Sequence, residues 1–296
     1  MAEHLLEVSG LSVDFHTAAG VVHAVRGVSF HVDRGETLAI LGESGSGKSV
    51  SASAIMNLID MPPGHIAGGS IRFDGRDLLR LDEPDSGVAM WKGRNLFTLP
   101  PAELFALRRD LQMVFQDPTQ SLNPRMTVFQ LISEAWVIHP DILPRARWRE
   151  RVAELLAQVG LRPEHAARYP HQFSGGQRQR IAIARALAME PQLIVCDEAV
   201  SALDVSVQAQ VIELLDRLRR EMGIAFVFIA HDLPVVRDFA DHVMVMRKGR
   251  VVEHGTVRQV FEAPREPYTR ALLAAGLDPD PEVQARRREA RLAAAL

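Results

Sequence analysis

Residues 42–49 read Gly-Glu-Ser-Gly-Ser-Gly-Lys-Ser: a glycine, four residues, then Gly-Lys-Ser. That spacing suits the binding of phosphate. Glycines at Gly42, Gly45 and Gly47 let successive backbone N–H groups converge on phosphate oxygens. Glu43, Ser44 and Ser46 fill the loop, and Val50 lies in the first turn of a helix whose N-terminus faces the same anion. Lys48 would meet the β- and γ-phosphates of a nucleoside triphosphate as a point charge, and the Ser49 hydroxyl would ligate Mg²⁺.

A second set of chemical groups follows the apolar run Leu193-Ile-Val-Cys196, which leads into Asp197-Glu198. Carboxylates at the C-terminal end of a buried strand stand where open α/β sheets bind ligands. Asp197 suits a Mg²⁺ shell, and Glu198 suits polarisation of an attacking water; either acid alone would also serve as a cap. His231 follows the strand-like run Ile224–Ala230 in the same way. It is placed to contact a γ-phosphate or simply to pack at a strand end. Asp232 beside it suits a helix cap. Cys196, the single cysteine, reads as a packed strand residue and excludes an intrachain disulfide or a Cys-rich metal site.

Three weaker signals lie between and after these. Gln116 follows the apolar run Leu111–Phe115. Phe173-Ser174-Gly175-Gly176-Gln177 immediately precedes a helix read from Arg178 to Met189, so its backbone forms a second anion-binding terminus. Ser201-Ala-Leu-Asp204 follows the acidic pair, with Asp204 suited to cap a helix over 205–221. Arg178, Arg180 and Arg185 read as a solvated basic face.

The elements that must position these groups follow from periodicity. Residues 5–41 read as β structure, with short strands at Val21–Val25 and Val28–Val32 and a doubly buried one at Thr37–Leu41. Val50, Ala54, Ile55, Leu58 and Ile59 recur at helical spacing until Pro62-Pro63-Gly64. Ile71–Phe73 with Asp74-Gly75 predicts a strand and hairpin turn. Residues 82–100 read as a surface loop, and helical patterning dominates from Pro101 to Leu161. Strands and helices then alternate, which predicts an α/β fold with a mostly parallel sheet covered on both faces.

Composition bounds the function. The chain has 296 residues, 47% apolar and 24% charged, with 34 Lys and Arg against 37 Asp and Glu. A formal net charge of −3 gives no basic footprint, so a nucleic-acid partner is not expected. No apolar run approaches the roughly 20 residues that span a bilayer. The first residues, MAEHLLEVSG, show no export signal, and the chain reads as cytosolic.

The order of these motifs carries more than any one of them. From about residue 5 to 275 the chain resembles the ATP-binding subunit of an ABC transporter. GESGSGKS (42–49) resembles Walker A, Gln116 in VFQDP the Q-loop glutamine, FSGGQ (173–177) the signature motif and LIVCDE (193–198) Walker B with its catalytic glutamate. SALD (201–204) resembles the D-loop and His231 the switch histidine. The resemblance implies a P-loop NTPase core with an antiparallel β subdomain at the N-terminus and an inserted helical subdomain, about 101–180. The ATPase domain would span 5–256 and a C-terminal extension 257–296. It implies ATP and Mg²⁺ as ligands, with Gln116 beside Ser49 and Asp197 in the metal shell. It also implies a dimer, homo- or heteromeric, in which Ser174–Gln177 and Asp204 of one subunit close on ATP held by the other. Phe15 stands where the family stacks adenine, though a strand-core aromatic fits as well.

A narrower resemblance rests on QDPTQSLNPRMTV (116–128), PHQFSGGQRQRIAIARAL (170–187), SALDVSVQAQVIELL (201–215) and PREPYTRALLAA (264–275). These look like the oligopeptide/dipeptide/nickel importer branch. That branch implies two membrane-spanning permease subunits, an extracytoplasmic solute-binding protein, and a peripheral position on the cytoplasmic face of the membrane. Two departures stand out: Phe173 replaces the commoner Leu, and Ala199 stands where Pro usually follows the glutamate. The Arg-rich tail 281–296 reads as a solvated helix. Rival readings lack residues: a GTP switch needs Asn-Lys-x-Asp, but Asn57, Asn95 and Asn123 are followed by Leu, Leu and Pro. A soluble ABC ATPase of the repair type needs sustained heptads, which are not seen.

Overall fold

The computed structural model of the chain describes residues 4–74 and 108–276, and the backbone of residues 76–77, 90–91 and 94–95. The helical pattern over 101–107 and the basic tail lie outside the described residues, as does most of the 82–100 segment. Within that segment the backbone carries a two-strand antiparallel hairpin at 90–91 and 94–95, where a loop is expected from sequence.

Chain order begins with β1 (Leu6–Thr17), β2 (Gly20–Val32) and β3 (Thr37–Leu41), then α1 (Lys48–Ile55), β4 (Gly64–Phe73), β5 (Arg76–Asp77) and the hairpin β6 (Met90–Trp91) and β7 (Arg94–Asn95). Strands β2–β1–β4–β5 form one antiparallel sheet. Two expectations fail here for identifiable reasons. The two short strands read at 21–25 and 28–32 are one strand, β2. The Arg26-Gly27 pair between them is an irregularity within it, with Gly27 at a φ of 65° and its N–H donated to Ser12 Oγ at 2.9 Å. The helix read through Ile59 stops at Ile55. Asn57 turns left-handed (φ 52°), Asn57 N–H bonds Ala54 O and Leu58 N–H bonds Ser53 O. That double closure ends the helix before the prolines, leaving Leu58 47% exposed.

The second sheet has the order β12–β11–β3–β10–β9–β8. Strands β8 (Leu111–Val114), β9 (Leu193–Asp197), β10 (Ala225–Ile229), β11 (His242–Arg247) and β3 run parallel; β12 (Arg250–Thr256) is antiparallel to β11. Its strands are apolar at consecutive positions because both faces are covered. Leu38, Ile40, Leu193, Val195, Val227 and Ile229 face the core shared with the antiparallel sheet and α1. Ala39, Leu41, Ile194, Cys196, Phe226 and Phe228 face the helices. This is the α/β architecture expected, a mostly parallel sheet with an antiparallel sheet at the N-terminus.

Helices α2 (Pro118–Ser121), α3 (Val128–Ile138), α4 (Trp148–Gln158) and α5 (Gly175–Leu187) lie between β8 and β9. The fully buried Trp136 donates from Nε1 to Ala188 O at 2.9 Å, which ties α3 to the end of α5. Arg178, Arg180 and Arg185 are not a solvated face. Each is half-buried and donates to a main-chain carbonyl, Pro170 O (2.9 Å), Val159 O (2.7 Å) and Ser121 O (2.7 Å) respectively. Carbonyls left over at short-helix ends and turns need such donors. The fold closes with α6 (Val205–Met222), α7 (Leu233–Phe239), α8 (Val257–Glu262) and α9 (Pro267–Gly276).

Candidate functional site

Strand β3 delivers the chain into the loop 42–47, and the loop's shape is enforced by its neighbours. A Cβ on Gly42 would lie 2.3 Å from Met246 O, and one on Gly47 2.5 Å from Ala24 O, so β11 and β2 press directly on glycine backbone. Lys48, only 6% exposed, donates from Nζ to Gly42 O (2.8 Å) and Glu43 O (3.0 Å) and so spans the loop from inside. Burial pulls its pKa down, and the carboxylates of Glu198 and Asp197 pull it back up. Helix α1 starts here at Gly47 without a side-chain cap, so its first N–H groups remain for an anion. Ser46 Oγ is buried without a hydrogen-bond partner. A cradle that excludes Cβ atoms, open helix donors and an orphaned hydroxyl fit a bound polyphosphate.

Two strand ends bring the carboxylates to this loop. Asp197, the last residue of β9, accepts a hydrogen bond from Ser49 Oγ at 3.0 Å. Burial raises its pKa, against the opposing effects of Ser49 and Lys48. A half-buried anion next to a helix-start serine suits a divalent cation, which would be held by Ser49 and Asp197. Glu198 takes a left-handed φ of 49° and bonds Ile229 O on β10 through its own N–H at 3.0 Å. Backbone strain of this kind gathers at functional sites. Its carboxylate accepts from Gln116 Nε2 at 2.8 Å, and His231 Nδ1 lies 3.9 Å from its other oxygen. Gln116, Glu198 and His231, far apart in sequence, thus converge. An open cavity of about 480 Å³, lined by Phe115, Gln116, Asp117, Gln120, Arg185 and Asp197, lies beside them. Cys196 is fully buried and its thiol is pushed up to about 12, so it packs and does not react.

Comparison with known proteins fixes the frame. Residues 25–201 match the family model described as ABC transporter. The chain is 46% identical to the oligopeptide transport ATP-binding protein OppF of Escherichia coli (strain K12), over 95% of this chain and 80% of that one. It is 47% identical to the oligopeptide transport ATP-binding protein OppD of Bacillus subtilis (strain 168), over 91% and 71%. The chain belongs to the ABC transporter family. It is an ATP-binding, ATP-hydrolysing subunit of that family. The glutathione import ATP-binding protein GsiA of Pectobacterium atrosepticum is 47% identical over 95% of this ABC chain, which spans 42% of that longer protein. Among solved structures, cbiO1 of Clostridium perfringens, part of the cbiONQ complex, superposes with a TM-score of 0.71 at 29% identity, covering 88% of this chain and 92% of that one. The dimeric post-hydrolysis cassette MJ0796 bound to ADP and Pi gives 0.68 at 26%, covering 86% and 99%.

The ABC motifs not yet described lie away from the phosphate loop in sequence, on α5 and α6. Ser174 caps α5 in a reciprocal pair with Gln177, and Gly175 is exposed beside it. Gly176 is buried: a Cβ there would strike Val207 Cγ1 at 2.2 Å. The signature turn is therefore packed on the first turn of α6, which Asp204 caps by accepting from Val207 N–H at 3.0 Å. Phe15 is half-buried on β1, packed against the antiparallel core and beside Gly64. Asp232 caps α7 as expected and also accepts from Gln208 at 3.0 Å. One contact has no counterpart in the sequence reading. Tyr268 of α9 accepts a hydrogen bond from Glu43 N–H at 3.3 Å, while Arg247 lies 4.7 Å over its ring. Only the Pro-Tyr-Thr segment signalled it, and a segment does not disclose its target.

Proposed function

We propose that this chain powers an ABC importer for peptides or similar small solutes across the cytoplasmic membrane. The observation that carries the hydrolytic part is the pair of adjacent carboxylates on β9, Asp197 bonded to Ser49 and Glu198 bonded to Gln116. The solute class rests on the names of the OppF, OppD and GsiA relatives. In this reading residues 5–256 form the ATPase domain, with a helical subdomain over about 101–180, and 257–296 form the C-terminal extension.

The residues then divide the work. Gly42, Ser44, Gly45, Ser46, Gly47 and Val50 hold ATP phosphates through main-chain N–H groups, Glu43 shapes the loop through its N–H bond to Tyr268, and Lys48 neutralises the β- and γ-phosphates. Ser49, Asp197 and Gln116 would hold Mg²⁺, which when bound would offset phosphate charge. Glu198 takes a proton from water as its oxygen attacks the γ-phosphorus, and the bond to the bridging oxygen breaks to leave ADP and phosphate. Gln116 orients the Glu198 carboxylate, and His231 stands to steady the transferred phosphoryl group. Phe15 stacks on adenine. Ser174, Gly175, Gly176, Gln177 and Asp204 complete the site of a second ABC ATPase subunit, identical or not.

The chain would sit peripherally on the cytoplasmic face, held by two permease subunits that receive solute from an extracytoplasmic binding protein. No helix of the described residues is long and apolar enough to cross a membrane. An apolar cavity of about 410 Å³ between Met56, Phe115, Leu131, Ala135 and Ile138 suits the permease contact, with Phe115 and Ile138 40% and 54% exposed. The test is growth of a deletion strain on peptides as the source of a required amino acid. Restoration by the wild-type gene but not by Glu198→Gln supports the reading; peptide uptake unaffected by the deletion refutes it.

A further inference from the structure

Of the chain's 11 histidines, four gather far from the phosphates: His4, His31, His242 and His254. His4 precedes β1, His31 lies near the end of β2, and His242 and His254 belong to β11 and β12. The cluster sits where the antiparallel sheet meets the edge of the parallel one, at the opposite end of β3 from the loop 42–47. The rings of His4 and His31 stack with centroids 4.0 Å apart, and His31 meets His254 edge-on at 6.3 Å. His4 Nδ1 lies 2.6 Å from Asp33 Oδ1, in the turn between β2 and β3. Glu36 in the same turn bonds His242 Nδ1 and accepts from Asp33 N–H at 2.6 Å. A cavity of about 250 Å³ opens among His4, Glu7, His31 and His254.

One ligand atom each from His4, His31 and Asp33 falls within 4.8 Å of the others, and among the described residues no other three His, Cys, Asp or Glu groups come as close. We propose that His4, His31 and Asp33 form a binding site for a borderline divalent transition cation of the Zn²⁺ class, with His254 as the neighbouring imidazole. Imidazole and carboxylate together select such ions over Mg²⁺ and Ca²⁺, which take oxygen donors. With Zn–N near 2.0–2.1 Å, a tetrahedral ion spaces its ligand atoms by roughly 3.3 Å. His4 and His31 are half-buried and Asp33 is exposed, so the three side chains have room to turn toward a shared ion. Glu36 bonded to Asp33 N–H fixes the turn that carries the carboxylate, an outer contact of the kind metal sites use. A bound ion would join the N-terminal segment, β2 and the β2–β3 turn at a place separate from the ATP site, and so act on stability and not on phosphate chemistry.

The test is calorimetric titration of the full chain with ZnCl₂ in excess Mg²⁺ without nucleotide, with Co²⁺ as a spectroscopic substitute. Expected are one equivalent bound, a visible Co²⁺ absorption of tetrahedral intensity, and a rise in melting temperature that a chelator reverses. His4→Ala/His31→Ala should weaken Zn²⁺ binding at least about 10- to 100-fold and abolish the melting shift. His16→Ala/His65→Ala, which removes an edge-on ring pair at 5.8 Å elsewhere on the antiparallel sheet, should change neither. Asp33→Asn, an exposed single substitution, should also weaken binding and serves if the double variant misfolds. Zn²⁺ affinity equal in wild type, Asp33→Asn and His4→Ala/His31→Ala would overturn the proposal, as would loss of binding in His16→Ala/His65→Ala.

Discussion

Lys48 is an ammonium kept inside a protein by what surrounds it. Burial opposes its charge, and the two carboxylates and two loop carbonyls support it. ATP phosphates would replace the carbonyls as stronger partners, so Lys48→Ala should abolish productive ATP binding; robust hydrolysis by that variant at saturating Mg-ATP would refute the assignment. Asp197 is the mirror case. Its pKa is raised by burial, so it takes up a proton at higher pH than an ordinary aspartate, whose value is about 3.9. A protonated Asp197 cannot hold a cation. Mg²⁺-dependent ATP affinity should therefore fall as pH drops, beginning above that ordinary value, in fluorescence titrations across a pH series. An affinity that holds flat down to the ordinary aspartate range would show that Asp197 is not in the metal shell. Glu198→Gln keeps the shape and the Gln116 contact but cannot accept a proton. It should bind ATP and turn it over about 10²- to 10⁴-fold more slowly, whereas near-normal turnover would assign the base to another group.

At the scale of elements, the sequence discloses what is repeated or continuous and hides what is local. Strands β3 and β9 are legible because four consecutive apolar residues have few other homes than a doubly covered sheet. The capping of α6 by Asp204 is legible because cap residues act over three positions, whereas α5, read from Arg178, starts three residues earlier at Gly175 behind a Ser174 cap that two glycines disguise as loop. The end of α1 is not, since Asn57 closes it through backbone bonds that side-chain periodicity does not record. The arginines of α5 read as solvated from sequence because a carbonyl left over in a turn has no sequence signature. Least legible is α9 on the phosphate loop, a hydroxyl meeting a backbone N–H across 225 positions. That contact is testable. Tyr268→Phe retains the ring and the Arg247 stack and removes the hydroxyl that accepts from Glu43 N–H. It should raise the KM for ATP roughly two- to tenfold, the worth of one hydrogen bond of about 0.5–1.5 kcal/mol, with kcat little changed. Equal KM values would leave α9 a packing element only.

At the scale of the whole molecule, the proposed function gives the chain two anion-binding turns, the phosphate loop and the start of α5, and one set of hydrolytic groups. Ser174 and Gly175 are exposed at the start of α5, and Val205, at the start of the packed α6, is 83% exposed. An exposed apolar side chain beside an exposed helix N-terminus is what a surface awaiting a second phosphate-bearing chain should present. If each site needs both turns, ATP acts as the adhesive between two chains, and specific activity should rise with protein concentration. Glu198→Gln should then accumulate as an ATP-bound dimer, which ADP dissolves because loss of the γ-phosphate removes the shared anion. High salt should also weaken it by screening. Ser174→Arg should block the dimer while leaving ATP bound at Lys48, since the bulky cation sits on the other chain's side of the nucleotide. Size-exclusion chromatography with light scattering, with and without Mg-ATP, reads this directly. A Glu198→Gln chain that stays monomeric with ATP bound means either that the partner is a different ATPase subunit or that the site is not shared. Titrating candidate partner chains into that monomer separates the two, because only the first restores a dimer that Ser174→Arg abolishes.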